Sequence, residues 1–176
     1  MVPVARLRCT GFMDDMMMIA FTECPSPLGN LLLAATTRGL CGLYFEEHRH
    51  FKGTQGWMRD DGHDHLQRAV TQLHEYFDHR RTSFALALDL QGTQFQRAVW
   101  TQLLSLPFGS TATYQTIAER VSSSRAVRAA GAAIGRNPVS IIVPCHRVLG
   151  ASGGLTGYAG GLERKQLLLS LEGINR

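Results

Sequence analysis

Cysteine followed by histidine is the pairing in this chain with chemistry in it. Residues 139–149 read VSIIVPCHRVL, which places Cys145 and His146 just past a proline. A thiolate is a strong nucleophile and metal ligand, and a nearby imidazole can take the thiol proton. Val139–Val143 is apolar and rich in β-branched residues, so it reads as a buried strand or extended segment. Pro144 stops any ladder there. In extended chain, adjacent side chains point to opposite sides. Cys145 and His146 would then need a turn or a bridging water to communicate. The dipeptide alone reads more readily as a buried cysteine beside a surface histidine.

The other cysteines stand at 9, 24 and 41, and no CxxC pair exists. A zinc ribbon or a disulfide scaffold is therefore not expected. Cys24, His48, His50, His63 and His65, with Cys9, are possible ligands in the first half, but their spacing matches no zinc pattern, so no metal and no cofactor is expected. The chain has 176 residues and a net charge of +4. Residues 1–92 carry a net −2 and residues 93–176 a net +6. That asymmetry suits a polyanionic partner for the second half, or a solvated basic face. The longest apolar runs are far too short to span a bilayer, and the N-terminus lacks a signal-peptide pattern. A cytoplasmic protein with no membrane partner is the expectation.

The elements that must position the thiol divide at Gln91-Gly92-Thr93. Domains are expected over 1–92 and 93–176. In the first, residues 26–47 read as a hairpin: a turn at Pro27–Gly29, a strand at Leu31–Ala35, a turn at Arg38-Gly39, and a strand at Leu40–Phe45. Residues 48–63 read as loop. Leu66, Ala69, Val70, Leu73 and Phe77 form a helical stripe, and Phe84, Leu86 and Leu88 alternate like a strand.

The second half reads as mostly helical. Thr93 can cap a helix carrying Phe95, Val99, Trp100, Leu103 and Leu104. Tyr114–Val121, a serine turn at 122–124, and Arg125–Arg136 fit a helix-turn-helix. The last helix carries Ala126, Ala129, Ala130, Gly131, Ala132 and Ala133, so little side chain covers it. Such a smooth surface suits tight helix packing or close approach to DNA, with Arg125, Arg128 and Arg136 projecting from it. Glu172 lies just before Gly173, a natural C-terminal cap for a helix over Leu162–Leu171. A carboxylate there opposes the helix dipole unless a proton donor offsets it. By itself it reads as a surface glutamate.

The whole string decides more. PCHRV, with RNPVSIIV upstream and GYAGG and LERKQLLLSLEG downstream, resembles the O6-alkylguanine-DNA alkyltransferase family. The SPLG turn and Gly92 with Phe95-Gln96-Arg97-Ala98-Val99-Trp100 resemble it as well; residues 1–17 match nothing. The resemblance covers most of residues 93–176. It implies a ribonuclease H-like α/β first domain (small sheet with helix) and a mostly α second domain with a helix-turn-helix. It also implies DNA repair: an alkyl group leaves O6-methylguanine, and O4-methylthymine too, for the protein's own cysteine, once, after base flipping. The implied partner is double-stranded DNA carrying alkylated guanine. The protein would be a monomer in solution, with cooperative binding along DNA left open.

The resemblance also assigns roles. Cys145 matches the acceptor, with His146 and Glu172 as a Glu–His–water–Cys relay. Tyr114 matches a proton donor to guanine N3, and Lys165 a lysine beside the thiol. Asn137 matches the residue tying the recognition helix to the reactive segment. Val148 and Cys145 offer carbonyls to the guanine amine, Tyr158 walls the pocket, and Trp100 falls in a matching stretch. Arg128 matches the finger that fills the gap left by the extruded nucleotide. Ala129, Gly131, Arg125 and Arg136 belong to the same DNA-facing helix. Ala159 stands where some members carry a serine that contacts O6, so a backbone N–H could serve instead; Ile134 stands where others have methionine or asparagine. Two rival classes remain: a helix-turn-helix regulator without chemistry, and a Cys-His-Glu hydrolase.

Overall fold

The computed structural model describes residues 18–175, so Cys9 and the N-terminal stretch lie outside it. The first half is a small sheet backed by one helix. Strands β1 (Ala20–Ser26), β2 (Gly29–Thr36) and β3 (Gly39–Phe45) form an antiparallel meander, and β4 (Met58–Arg59) adds parallel to β1. The order is β3-β2-β1-β4. Helix α1 (Asp64–Phe77) buries Leu66, Ala69, Leu73, Tyr76 and Phe77, the apolar stripe of its sequence plus one tyrosine.

Strand β1 and the short β4 were absent from the sequence reading. The pattern in AFTECPS is broken by Glu23 and Pro25, and β4 is only two residues long, so neither shows a clean period. The expected strand at Phe84–Leu88 does not form. Leu88 makes one parallel bridge to Leu40, through Leu40 N to Ala87 O and Asp89 N to Leu40 O. Alternation there marks an extended segment lying along β3, without a full ladder.

In the second half, α2 (Gln94–Leu104) begins with a capping box. The Thr93 side chain accepts from Gln96 N, and Gln96 Oε1 accepts from Thr93 N. Its Trp100 is 1% exposed and donates through Nε1 to Ala133 O at 2.9 Å. Strand β5 (Ala112–Thr113) leads into α3 (Tyr114–Val121), capped by Thr113. A 3-10 turn at Ser124–Ala126 then precedes α4 (Val127–Gly135). The second helix of the helix-turn-helix thus starts two residues later than Arg125, with Arg125 in the turn and Arg136 as the C-cap. Strand β6 (Val148–Leu149) pairs parallel with β5, and α5 (Leu162–Leu171) closes the chain.

The two halves share one core. Leu43 and Val139 form a bridge, with Leu43 N bonded to Pro138 O and Ser140 N to Leu43 O. The SPLG turn is held from the far end of the sequence. Arg164 donates to Leu28 O at 3.0 Å and to Gly160 O at 3.0 Å, and its guanidinium lies 5.0 Å from the Phe45 ring centre.

Removing the α2 cap with Thr93→Ala should cost about 1 kcal/mol of stability, because Gln96 N loses the side-chain oxygen that accepts from it at the helix start. Urea unfolding would read this as a lower midpoint at unchanged slope; an unchanged midpoint would show that α2 is held by packing alone.

Candidate active site and nucleic-acid interface

Residues 139–147 do not continue as a strand. After the bridge at Val139 the chain coils. Ile141 takes φ 69°, Val143 N bonds to Val139 O, and Cys145 N bonds to Val143 O at 2.8 Å. Cys145–Arg147 is a 3-10 turn. The reason is the Asn137 side chain. Its Oδ1 accepts from Val139 N at 3.0 Å, and its Nδ2 donates to Val143 O at 2.8 Å. These bonds satisfy buried backbone groups that a sheet partner would otherwise have to meet. The opposite-sides argument for Cys145 and His146 therefore does not apply, since it holds only for extended chain.

The same Asn137 Nδ2 reaches Cys145 Sγ at 3.0 Å. Cys145 is 5% exposed. Burial pushes its thiol pKa up, while the Asn137 bond, the Lys165 charge and two backbone N–H groups pull it down. Burial wins, so the resting group is a thiol and must lose its proton to react.

His146 is fully buried and bonds through Nε2 to Glu172 Oε1 at 2.8 Å. Burial lowers its pKa, against the opposing pull of Glu172, so the ring is neutral near pH 7. A neutral imidazole bonded to a carboxylate must carry its proton on the bonded nitrogen. The network therefore assigns the proton to Nε2 and leaves Nδ1 as a free lone pair. Nδ1 is buried and makes no hydrogen bond to the protein. The turn leaves His146 a base with no proton on Nδ1.

Glu172 caps α5, and Gly173 follows with φ 80°, as its position before a glycine implied. The dipole conflict is resolved by more donors than the histidine. Arg147 reaches both carboxylate oxygens, Nε to Oε2 at 2.8 Å and Nη2 to Oε1 at 2.9 Å. Tyr76 Oη donates to Oε1 at 2.7 Å, and Gly109 N to Oε2 at 3.3 Å. Burial alone would raise the Glu172 pKa, but hydrogen bonds and charge from His146 and Arg147 hold it at about 2. Sequence reasoning missed Arg147 and Tyr76. Arg147 was visible as part of CHR, but Tyr76 lies 96 residues away and only the fold brings it in.

Lys165 is fully buried and donates to Val148 O at 2.6 Å and to Thr156 O at 2.9 Å. Burial lowers its pKa to about 8, which leaves it mostly charged at neutral pH beside the thiol. The Val148 carbonyl, expected to face guanine, is thus already bonded once and has one lone pair left. The Cys145 carbonyl accepts from Val148 N.

Tyr114, Gly131, Tyr158, Ala159 and Arg136 line one open cleft of about 310 Å³. The Tyr114 hydroxyl donates to Thr156 O at 2.9 Å, with Gly157 O at 3.1 Å. Burial raises the pKa of Tyr114 and of Tyr158, and ionisation of the nearby Cys145 to a thiolate adds to both. The reactive sulfur is therefore electrostatically close to both rings of the cleft. Ala159 O is bonded by Arg49 N at 3.1 Å. Trp100 does not line this cleft; its indole is a core anchor between α2 and α4. Arg125, Arg128, Ala129 and Arg136 are all exposed along the helix-turn-helix, and Gly131 is half-buried. None of the three arginines makes an ion pair among the described residues. Among the described residues no three His, Cys, Asp or Glu side chains gather as metal ligands. Cys24 instead sits 3.5 Å from His74 Nε2.

Known proteins resemble this chain over most of its length. A family model described as the ribonuclease-like domain of 6-O-methylguanine DNA methyltransferase matches residues 19–90. The DNA binding domain of the same family matches residues 94–174. The methylated-DNA–protein-cysteine methyltransferase of Mycobacterium leprae is 47% identical over 155 residues, 88% of this chain and 93% of that protein. The protein of the same name from Methanosarcina mazei is 44% identical, covering 85% and 94%. A crystal structure of Mycobacterium tuberculosis OGT in complex with DNA superposes with a TM-score of 0.83 at 45% identity, covering 88% of this chain and 93% of that one.

The low Glu172 pKa carries a stability consequence. A carboxyl held below its ordinary value stabilises the fold above that value and loses the contribution as pH falls toward about 2. Tyr76→Phe removes one donor to the charged carboxylate, so its folded pKa rises. Acid unfolding, followed by far-UV circular dichroism, should begin at a higher pH than in wild type; coincident acid limbs would show that the Tyr76 bond does not hold the charge.

Proposed function

This chain belongs to the 6-O-methylguanine DNA methyltransferase family, and on that premise we propose how its own residues carry the reaction. It is a DNA repair protein that moves an alkyl group from O6 of guanine in DNA to its own cysteine. The observation that carries the residue assignment is the buried Glu172–His146 hydrogen bond. It fixes the tautomer in which Nδ1 can receive a proton.

Cys145 is the acceptor. Its thiol proton passes to His146 Nδ1 by way of a water, and Glu172 stabilises the imidazolium that forms. Lys165 and Asn137 favour the thiolate while it exists. The thiolate attacks the alkyl carbon in line with the C–O6 bond. The S–C bond forms as the C–O bond breaks, and the electron pair stays on guanine. Tyr114 donates a proton at guanine N3 and takes up the leaving charge. In this step its hydroxyl exchanges the loop carbonyls for the base. The product is a thioether, so each molecule acts once.

O6 lies inside the duplex, and a thiol that is 5% exposed cannot reach it there. The base must be extruded, at a cost of a few kcal/mol that is smaller for a damaged pair. Helix α4 approaches the minor groove with its small residues, Arg128 fills the gap, and the cleft between Tyr114 and Tyr158 receives the base. The free lone pairs of the Val148 and Cys145 carbonyls meet the guanine amine, and a backbone N–H near Ala159 meets O6. O4-methylthymine is a second substrate under the same chemistry. Residues 93–176 form the reactive unit, and residues 1–92 brace it and complete the Glu172 cluster. The cytoplasm is the compartment this reading gives the protein. Among the described residues no helix is long and apolar enough to cross a membrane.

Incubation with a duplex containing O6-methylguanine should add one methyl group to the peptide holding Cys145, read by intact-mass and peptide-mass measurement. Cys145→Ala should bind that duplex and gain nothing. No adduct on wild type would favour a regulator without chemistry, and release of product over many turnovers would favour a hydrolase. Arg128→Ala should slow repair of duplex by roughly tenfold or more while the reaction with free O6-benzylguanine falls far less. Equal losses on both substrates would remove the flipping role from Arg128.

A further inference from the structure

The first half carries a net negative charge, yet one of its loops brings basic side chains to the mouth of the reactive cleft. Arg49 and His50 line the same 310 Å³ cleft as Tyr114 and Tyr158. The cleft continues into a second groove of about 390 Å³, walled by Arg49, Lys52, Phe51 and Arg136, with Gln91 and Gln96 at its far end. Arg49, His50 and Arg136 border both grooves. His50 lies close enough to Arg136 and Arg49 for their charges to act on its ring. Arg49, Lys52 and Arg136 are exposed and make no ion pair among the described residues.

The loop is held in place before any partner arrives. His48 is buried, its backbone N–H bonds to Phe45 O, its Nδ1 accepts from His50 N, and its carbonyl accepts from Phe51 N. Phe51 stacks on Tyr44 at 4.8 Å and packs against Trp57 at 5.8 Å. Arg49 N is tied to Ala159 O, across to the wall of the reactive cleft. These cations, fixed in a groove, find no ion-pair partner among the described residues. An anionic partner would meet them with little ordering cost.

We propose that the groove between residues 49–52 and Arg136 binds the sugar-phosphate backbone of the lesion strand beside the extruded nucleotide. The inference rests on the alkyl-transfer reading above. A base in the Tyr114–Tyr158 cleft must leave its phosphates at the cleft mouth, where Arg49 and Arg136 stand, with Lys52 in the adjoining groove. Arg128 and the small face of α4 meet the duplex, and the loop of the first half takes the departing strand. The contact is to phosphate, so it adds affinity and orientation without sequence preference.

The test measures affinity of the full-length protein for an O6-methylguanine duplex as a function of salt. Lys52→Gln and Arg49→Gln should each flatten the slope of log affinity against log salt by about 1, and the double variant by about 2. The ratio of the duplex rate to the rate with free O6-benzylguanine should fall in parallel. Lys52→Arg, which keeps the charge, should restore the slope. A double variant with the wild-type slope would overturn the proposal. So would equal losses on duplex and free base, which would place these residues on the base pocket instead. If wild type itself gains no methyl group, the alkyl-transfer reading fails; if it reacts but the slopes coincide, only the strand-binding groove does.

Discussion

A carboxylate with no solvent exposure has to be neutralised, protonated or surrounded by donors. Glu172 is surrounded, and the donors come from three places: His146 and Arg147 of the reactive turn, Tyr76 of helix α1, and the loop at Gly109. Removing one member of such a buried set typically costs about 3–5 kcal/mol, because the others are left uncompensated. The first and second halves share an apolar core, and Tyr76 also ties the first half to this charge. The bond from Tyr76 means that the first half reaches the carboxylate that holds His146.

The same charge decides what kind of base His146 is. Burial keeps the ring neutral, and the carboxylate holds its proton on Nε2. A thiol that rests protonated in a buried site is protected from casual oxidation and alkylation, since those reactions need the thiolate. That arrangement suits a protein consumed by a single event, for which a wasted reaction is a lost molecule.

Charge is distributed with similar economy. Arg125, Arg128 and Arg136 are exposed and make no ion pair among the described residues, while Arg147 and Lys165 are buried and fully engaged in structure. The net +6 of the second half therefore overstates what faces outward, and the net −2 of the first conceals a basic loop at the cleft. Net charge per half was a fair guide to the kind of partner and a poor guide to where the partner touches.

PCHRV, SPLG and the flanking glycines made the family readable, because these short strings encode tight turns and a nucleophile that few other sequences share. Helices α1 and α2 were legible from apolar spacing and a cap, which are local, and the end of α5 from its C-terminal glycine. Glu172 could be placed at its helix end, since the glycine after it sets the cap. The coil at 139–147 could not be read, because an apolar β-branched run looks like a strand until Asn137 supplies the bonds a neighbouring strand would have given. Nor could Tyr76, Arg49 or Lys52 be assigned. Their roles depend on surfaces made by residues about 80 to 100 positions away, and no periodicity within a segment records which distant segment it will meet. Local propensity and motif determined which reaction the chain is equipped for; long-range packing alone decided which side chains hold the carboxylate and which ones edge the cleft.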